Sequence, residues 1–144
     1  MKAHLCSRCG ALNRISATPP GTAPLCGKCK ADLDVSGEPR AVTGEQLDAA
    51  VRNSPVPVLA DFWAPWCGPC RAAAPIFAEL GRRRAGELLV LKVNSDEQPE
   101  ASARLGIRAI PTFVLFHGGQ EVARQSGVMP AAEMDRWVAS HVRT

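Results

Sequence analysis

Cysteines recur three residues apart three times in this chain, as Cys6/Cys9, Cys26/Cys29 and Cys67/Cys70, and these pairs account for all six thiols. That spacing serves either metal ligation or dithiol redox chemistry, and the flanking residues separate the two. Around the third pair the text reads Asp61-Phe62-Trp63-Ala64-Pro65-Trp66-Cys67-Gly68-Pro69-Cys70, an apolar strand running into a helix. A thiol at such a helix start ionises more easily, because first-turn N–H groups and the helix dipole favour the thiolate. Cys67 is therefore the expected nucleophile, exposed over the helix N-terminus. Cys70, one turn later and pointing inward, is the expected resolving thiol that would break a mixed disulfide. Gly68 and Pro69 keep the intervening turn tight and withhold one N–H, and Trp66 would form one lip of the substrate surface.

Two further residues bear on that chemistry. Asp61 and Lys92 are lone charges of opposite sign, each inside an otherwise apolar strand candidate. Burial would raise the Asp61 carboxyl pKa, and Lys92 would temper the rise by charge attraction. A carboxyl tuned in this way could take and return the proton of Cys70.

The other two pairs lie in different surroundings. Cys6-Ser-Arg-Cys9 and Cys26-Gly-Lys-Cys29 are separated by sixteen residues punctuated by Pro and Gly, with no convincing strand or helix period over 1–34. Two such knuckles can converge four thiolates on one ion, and the spacing predicts a closed structural zinc site of Cys6, Cys9, Cys26 and Cys29. Rubredoxin-like iron shares this ligand set. Gly10 relieves the backbone after the first knuckle, whereas Lys30 at the equivalent place departs from that pattern. His4 is expected to be solvated rather than a fifth ligand.

These sites need positioning elements. Thr43-Gly44-Glu45-Gln46 is a capping box opening a helix with Leu47, Ala50 and Val51 on one face. Continuous apolar runs at 56–63, 88–93 and 111–116 predict buried strands. Helices are expected from Cys67 to about Ala85, with a kink at Pro75, from Asp96 to Leu105, and from Pro130 to Val142. Gly118-Gly119 turns the chain back into a strand at Glu121–Ser126. An edge strand should follow the connection at 35–42. Alternating strands and helices closed by a hairpin predict an α/β fold, a mixed central sheet with helices on both faces. The expected division is a four-cysteine head at 1–34 and one larger domain at 35–144. Arg82-Arg83-Arg84 should face solvent at a helix end.

Composition narrows the function. The chain has 144 residues, 46% hydrophobic and 22% charged, with 17 basic and 14 acidic side chains. The basic excess falls in residues 1–40, where six basic side chains face three acidic ones. One zinc ion bound by four thiolates would add a net −2 there, leaving about +1. The head also lacks aromatic residues for base stacking, so nucleic-acid binding is not expected. Neither a signal-peptide h-region nor an 18-residue apolar run is present, which points to the cytosol and away from a membrane. A disulfide-stapled scaffold is disfavoured on the same ground.

Residues 40–144 resemble the thioredoxin family, down to the Trp66-Cys67-Gly68-Pro69-Cys70 core. The resemblance implies the thioredoxin fold, with Asp61 as the family's buried acid and Lys92 as its partner. It also implies a cis peptide at Ile110-Pro111, setting the Ile110 backbone beside the cysteines, and an open surface at Gly127. Trp63 and Pro75 match as packing and kink residues. Pro65 stands where many members carry a charged or small residue. With the four-cysteine head included, the chain is similar to the zinc-containing bacterial members of that family. The implied activity is protein-disulfide reduction, with a reductase-favouring Gly-Pro pair between the cysteines. Implied partners are oxidised cytosolic proteins and an NADPH-dependent thioredoxin reductase, since no G-x-G-x-x-G site is present. A monomer suffices. An oxidase or isomerase, and a zinc-ribbon binding module, remain as alternatives, and the head's role is open between stabilising, partner-selecting and redox-sensing.

Overall fold

The computed structural model describes residues 1–16 and 23–142. Residues 17–22 of the Pro/Gly-punctuated loop lie outside them. The chain contributes β3 (Arg40–Ala41), α1 (Gly44–Asn53), β4 (Val58–Trp63), α2 (Gly68–Arg83), β5 (Leu89–Asn94), α3 (Pro99–Arg104), β6 (Thr112–His117), β7 (Gln120–Ser126) and α4 (Ala131–His141). A hairpin of β1 (Lys2–Leu5) and β2 (Leu12–Ile15) precedes them. The larger sheet has the order β3-β5-β4-β6-β7. β3 and β5 run parallel to their inner neighbours, while β6 and β7 run antiparallel. This is the thioredoxin fold.

β4 sits in the middle of the sheet, and only a chain apolar on both faces can be covered from both sides. Alternation sends Val58, Ala60 and Phe62 into one core with Leu47 and Ala50 of α1 and Ala101 of α3. Leu59 enters the opposite core with Phe77 and Leu80 of α2 and Met134 and Val138 of α4. By the same alternation Asp61 faces the α2 side. The capping box at Thr43/Gln46 is complete in both directions. Pro75 lies inside α2, and the helix continues past it to Arg83.

Residues 1–16 depart from the absence of regular structure expected for the head. β1 and β2 pair antiparallel with Leu5 opposite Leu12, and the first knuckle forms their connection. β1 is also docked on the larger sheet. The Ala3 N–H donates to the Gly86 carbonyl at 3.0 Å, and Ala3 and Leu5 join the α1-side core. Four residues were too short a run for a period to stand out from the surrounding polar text.

His4 is buried rather than solvated, at 7% exposure, because β1 lays it against the Gly86 turn. Desolvation lowers its pKa, helped by the Lys2 charge. The arginine run is engaged as well. Arg82 reaches Glu38 at 2.7 Å, and Arg84 pairs with Asp135 of α4 at 3.1 Å.

Candidate active site

Cys67 is the N-cap of α2 and is joined to Cys70 in a disulfide, with Cα atoms 5.2 Å apart. Its Sγ accepts the Cys70 N–H at 3.2 Å. The first turn of α2 contains no acidic residue, so no negative charge opposes a thiolate there. The Cys67 Sγ also lies 3.8 Å from the Ile110 carbonyl oxygen. One expected asymmetry is absent in this oxidised state: Cys67 is 4% exposed and Cys70 3%. The bonded sulfurs share a small apolar nest with Ala64, Trp63 and Ile110.

The facing loop is built from the other end of the sheet. The Ile110–Pro111 peptide is cis. Thr112 Oγ1 bonds both the Ala109 carbonyl and Ser126 Oγ, tying the loop to β7. The Gly127 N–H donates to the Pro111 carbonyl at 2.9 Å. Gly127 has φ +91, and no heavy atom lies within 4 Å of where a Cβ would stand, so the surface beside the cis bond is open. The structure thus gathers Cys67, Cys70, Ile110, Pro111 and Gly127 at one spot, although they are far apart in sequence.

Trp66, 68% exposed, projects beside them and donates its indole N–H to Asp96 at 3.0 Å. Asp96 escapes a reading of the sequence, because only the folded turn after β5 brings it back to Trp66. Gly68 and Pro69 are exposed at the start of α2.

Asp61 is 1% exposed, and its Oδ1 has no hydrogen-bond partner. Burial pushes its pKa up to about 7 against the opposing Lys92 charge. Asp61 and Lys92 are direct neighbours across β4 and β5. Lys92 is only half-buried, and its Nζ sits 4.5 Å over the Trp63 ring centroid. The sheet therefore buries the Asp61 charge on β4 and lets that of Lys92 on β5 reach the surface along its aliphatic stem.

In the head, Cys6, Cys9, Cys26 and Cys29 bring their sulfurs within 4.8 Å of one another and could hold a metal ion. The Cys6–Cys29 and Cys9–Cys26 sulfurs are 3.7 and 3.6 Å apart. A tetrahedron with metal–sulfur bonds of about 2.3 Å requires sulfurs about 3.8 Å apart, a spacing these two pairs meet, so the four-thiol donor set suits a tetrahedral metal such as zinc. Cys6 Sγ accepts the Arg8 and Cys9 N–H groups at 3.4 and 3.5 Å. Cys26 Sγ accepts the Lys28 N–H at 3.4 Å and Asn13 Nδ2 at 3.5 Å. Donors aimed at sulfur suit thiolates rather than thiols. Asn13 was missed in the sequence and also accepts the Gly27 N–H, bracing the second knuckle from β2. The knuckles are superposable in kind: Gly10 and Lys30 have φ +77 and +65, and each N–H closes back on Cys6 or Cys26. Lys30 thus adopts the left-handed turn in spite of its Cβ.

Comparison with known proteins agrees with this geometry. The thioredoxin family model matches residues 38–140. Thioredoxin 1 of a Nostoc species is 44% identical over 101 residues, covering 70% of this chain and 94% of that protein. Thioredoxin C-3 of Corynebacterium nephridii is 36% identical over 134 residues, covering 93% and 91%, so its match reaches into the four-cysteine head. Among solved structures, a Malassezia sympodialis thioredoxin superposes with a TM-score of 0.66 at 32% identity, covering 76% of this chain and 95% of that one. A dithiol capping a helix with a cis-proline loop against it coincides with a match over most of the chain, and the protein belongs to the thioredoxin family of thiol–disulfide oxidoreductases.

Proposed function

We propose that this protein is a cytosolic protein-disulfide reductase. The Cys67 thiolate attacks one sulfur of a substrate disulfide, forming a mixed disulfide and expelling the first substrate thiolate. Asp61 takes the Cys70 proton. The Cys70 thiolate then attacks Cys67, releasing the second substrate thiolate and leaving the Cys67–Cys70 disulfide. Two electrons pass to the substrate, and an NADPH-dependent thioredoxin reductase returns them.

The observation that carries this reading is the disulfide at the start of α2, facing the Ile110 carbonyl and the open surface at Gly127. An extended substrate segment could pair with the Ile110 and Gly127 backbone while touching Trp66 and the Gly68-Pro69 turn. A buried Asp61 with a pKa near 7 suits proton transfer at neutral pH. Lys92 sets how far that pKa rises.

The head at 1–34 is read as a structural unit holding one zinc ion through Cys6, Cys9, Cys26 and Cys29, and residues 35–144 as the redox domain. With four thiolates the ion has no open position, so it supplies folding energy rather than chemistry. No helix among the described residues is long and apolar enough to cross a membrane.

Reduction of insulin with NADPH and thioredoxin reductase tests the proposal. Wild type should reduce insulin and the Cys67→Ser variant should not. An inactive wild type, or an active variant, refutes it. Elemental analysis should return one zinc per chain, lost on Cys26→Ser.

A further inference from the structure

One polar side chain reaches from the first half of the head to the second. Asn13 lies on β2, directly opposite His4 of β1. β1 in turn is tied to the larger sheet through the Ala3 N–H and the Gly86 carbonyl. Asn13 therefore stands on the part of the head that the redox domain holds in place.

Its amide uses both ends on the second knuckle. Oδ1 accepts the Gly27 N–H at 2.9 Å, which fixes which way the amide points. Nδ2 then donates to Cys26 Sγ at 3.5 Å and to the Ala11 carbonyl at 3.1 Å. Among the described residues these are the only hydrogen bonds from 1–16 to 23–33, apart from the sulfur pairs Cys6–Cys29 and Cys9–Cys26. The other link is apolar packing of Ala11 and Ile15 around Leu33.

The two buried sulfurs are otherwise alike. Cys6 and Cys26 are 2% and 0% exposed, and each accepts backbone N–H from its own turn. Cys26 alone receives a side-chain donor as well. Four thiolates outweigh one divalent ion, so such a site keeps negative charge that aimed donors offset.

We propose that Asn13 is a positioning residue of the metal centre, holding the Cys26 thiolate on the ion and latching the second knuckle to the anchored hairpin. This role rests on the metal-site reading above and deepens it. Retention of the ion is then set from β2, by a residue that does not itself touch the metal.

Two substitutions in the full-length chain separate the donor from the brace. Asn13→Asp keeps an oxygen for the Gly27 N–H but sets an acceptor against Cys26 Sγ. Asn13→Leu keeps the volume, adds no charge and removes both bonds. With zinc as the probe, competition against a chromophoric chelator should show affinity about 10–100-fold lower in both variants. Wild-type affinity in Asn13→Asp would mean that only the brace matters, and overturns the proposal. Loaded with iron instead, Asn13→Leu should have a lower reduction potential than wild type, because a donor to sulfur favours the more negative Fe(II) state. A purely structural brace would leave that potential unmoved. A third measurement needs no variant: as a chelator strips zinc from wild type, iodoacetamide should label Cys26 after Cys6. Equal labelling of the two, or an unmoved potential in Asn13→Leu, refutes the role of Asn13 and leaves the metal site standing. Failure of wild type to bind either ion refutes the metal site, and the role of Asn13 with it.

Discussion

Replacing Asp61 by Asn should stabilise the protein, and the gain should depend on pH in one direction only. Asp61 is 1% exposed, and its Oδ1 has no hydrogen-bond partner. The folded protein raises its pKa from the ordinary 3.8 to about 7, mainly by burial. Between those values the folded state binds the Asp61 proton and the unfolded chain does not. Stability therefore falls as pH rises through this window, the reverse of a salt-bridged carboxylate. At about 1.4 kcal/mol for each tenfold change in acidity, the full loss by pH 8 is about 4 kcal/mol. Against a total of about 5–15 kcal/mol for a domain of ordinary stability, that is a large fraction. Asn keeps the shape but has nothing to ionise. Urea unfolding of the oxidised wild type and Asp61→Asn from pH 4 to 9 reads the difference directly. The two curves should nearly coincide at pH 4 and separate by about 4 kcal/mol at pH 8. A separation that does not change with pH, or a wild type that gains on the variant as pH rises, would show that burial does not penalise the Asp61 charge.

Four other outcomes follow from the geometry. Cys70→Ser should leave the mixed disulfide unresolved, so that a covalent adduct at Cys67 accumulates with substrate and is visible by mass spectrometry; free turnover would move the resolving role elsewhere. Lys30→Gly should stabilise the head by about 0.5–1 kcal/mol by relieving a left-handed backbone at φ +65, read as a higher unfolding midpoint. Gly10→Ala should do the opposite, since φ is +77 there and the new Cβ would meet Gln46 Nε2 at 2.9 Å. Gly81→Ala, ordinarily a helix-stabilising change, should instead cost about 2–3 kcal/mol in urea unfolding, because its Cβ would press on the Gly37 carbonyl and lie 2.6 Å from Val90 Cγ2.

The larger sheet was legible because its strands are apolar on both faces and its helices carry explicit signals. The capping box at Thr43, the hairpin glycines and Pro130 each did local work that no tertiary contact overrode. Boundaries moved by one or two residues, except that α3 begins at Pro99 rather than Asp96, where Asp96 turns back toward Trp66. The site was legible where chemistry demands a spacing, at the three cysteine pairs, and where a charge stood out in an apolar run, at Asp61 and Lys92. The cis bond at Pro111 and the role of Gly127 came only with the family resemblance, since nothing local distinguishes one proline or glycine from the rest. Asp96, Asn13 and the burial of His4 were invisible because each depends on a partner brought close by folding. The head's strands were missed for a related reason: β1 owes its apolar face to a sheet formed about 80 residues later.

That dependence has a consequence for the order of synthesis. The four thiols of the head are complete once Cys29 has been made, so an ion can close the knuckles early. The Ala3 N–H, however, waits for the Gly86 carbonyl, and Leu5 waits for the core built on β4 and β5. During translation the first strand is thus a hook with its apolar side bare, and it closes onto the sheet only after more than half the chain has emerged.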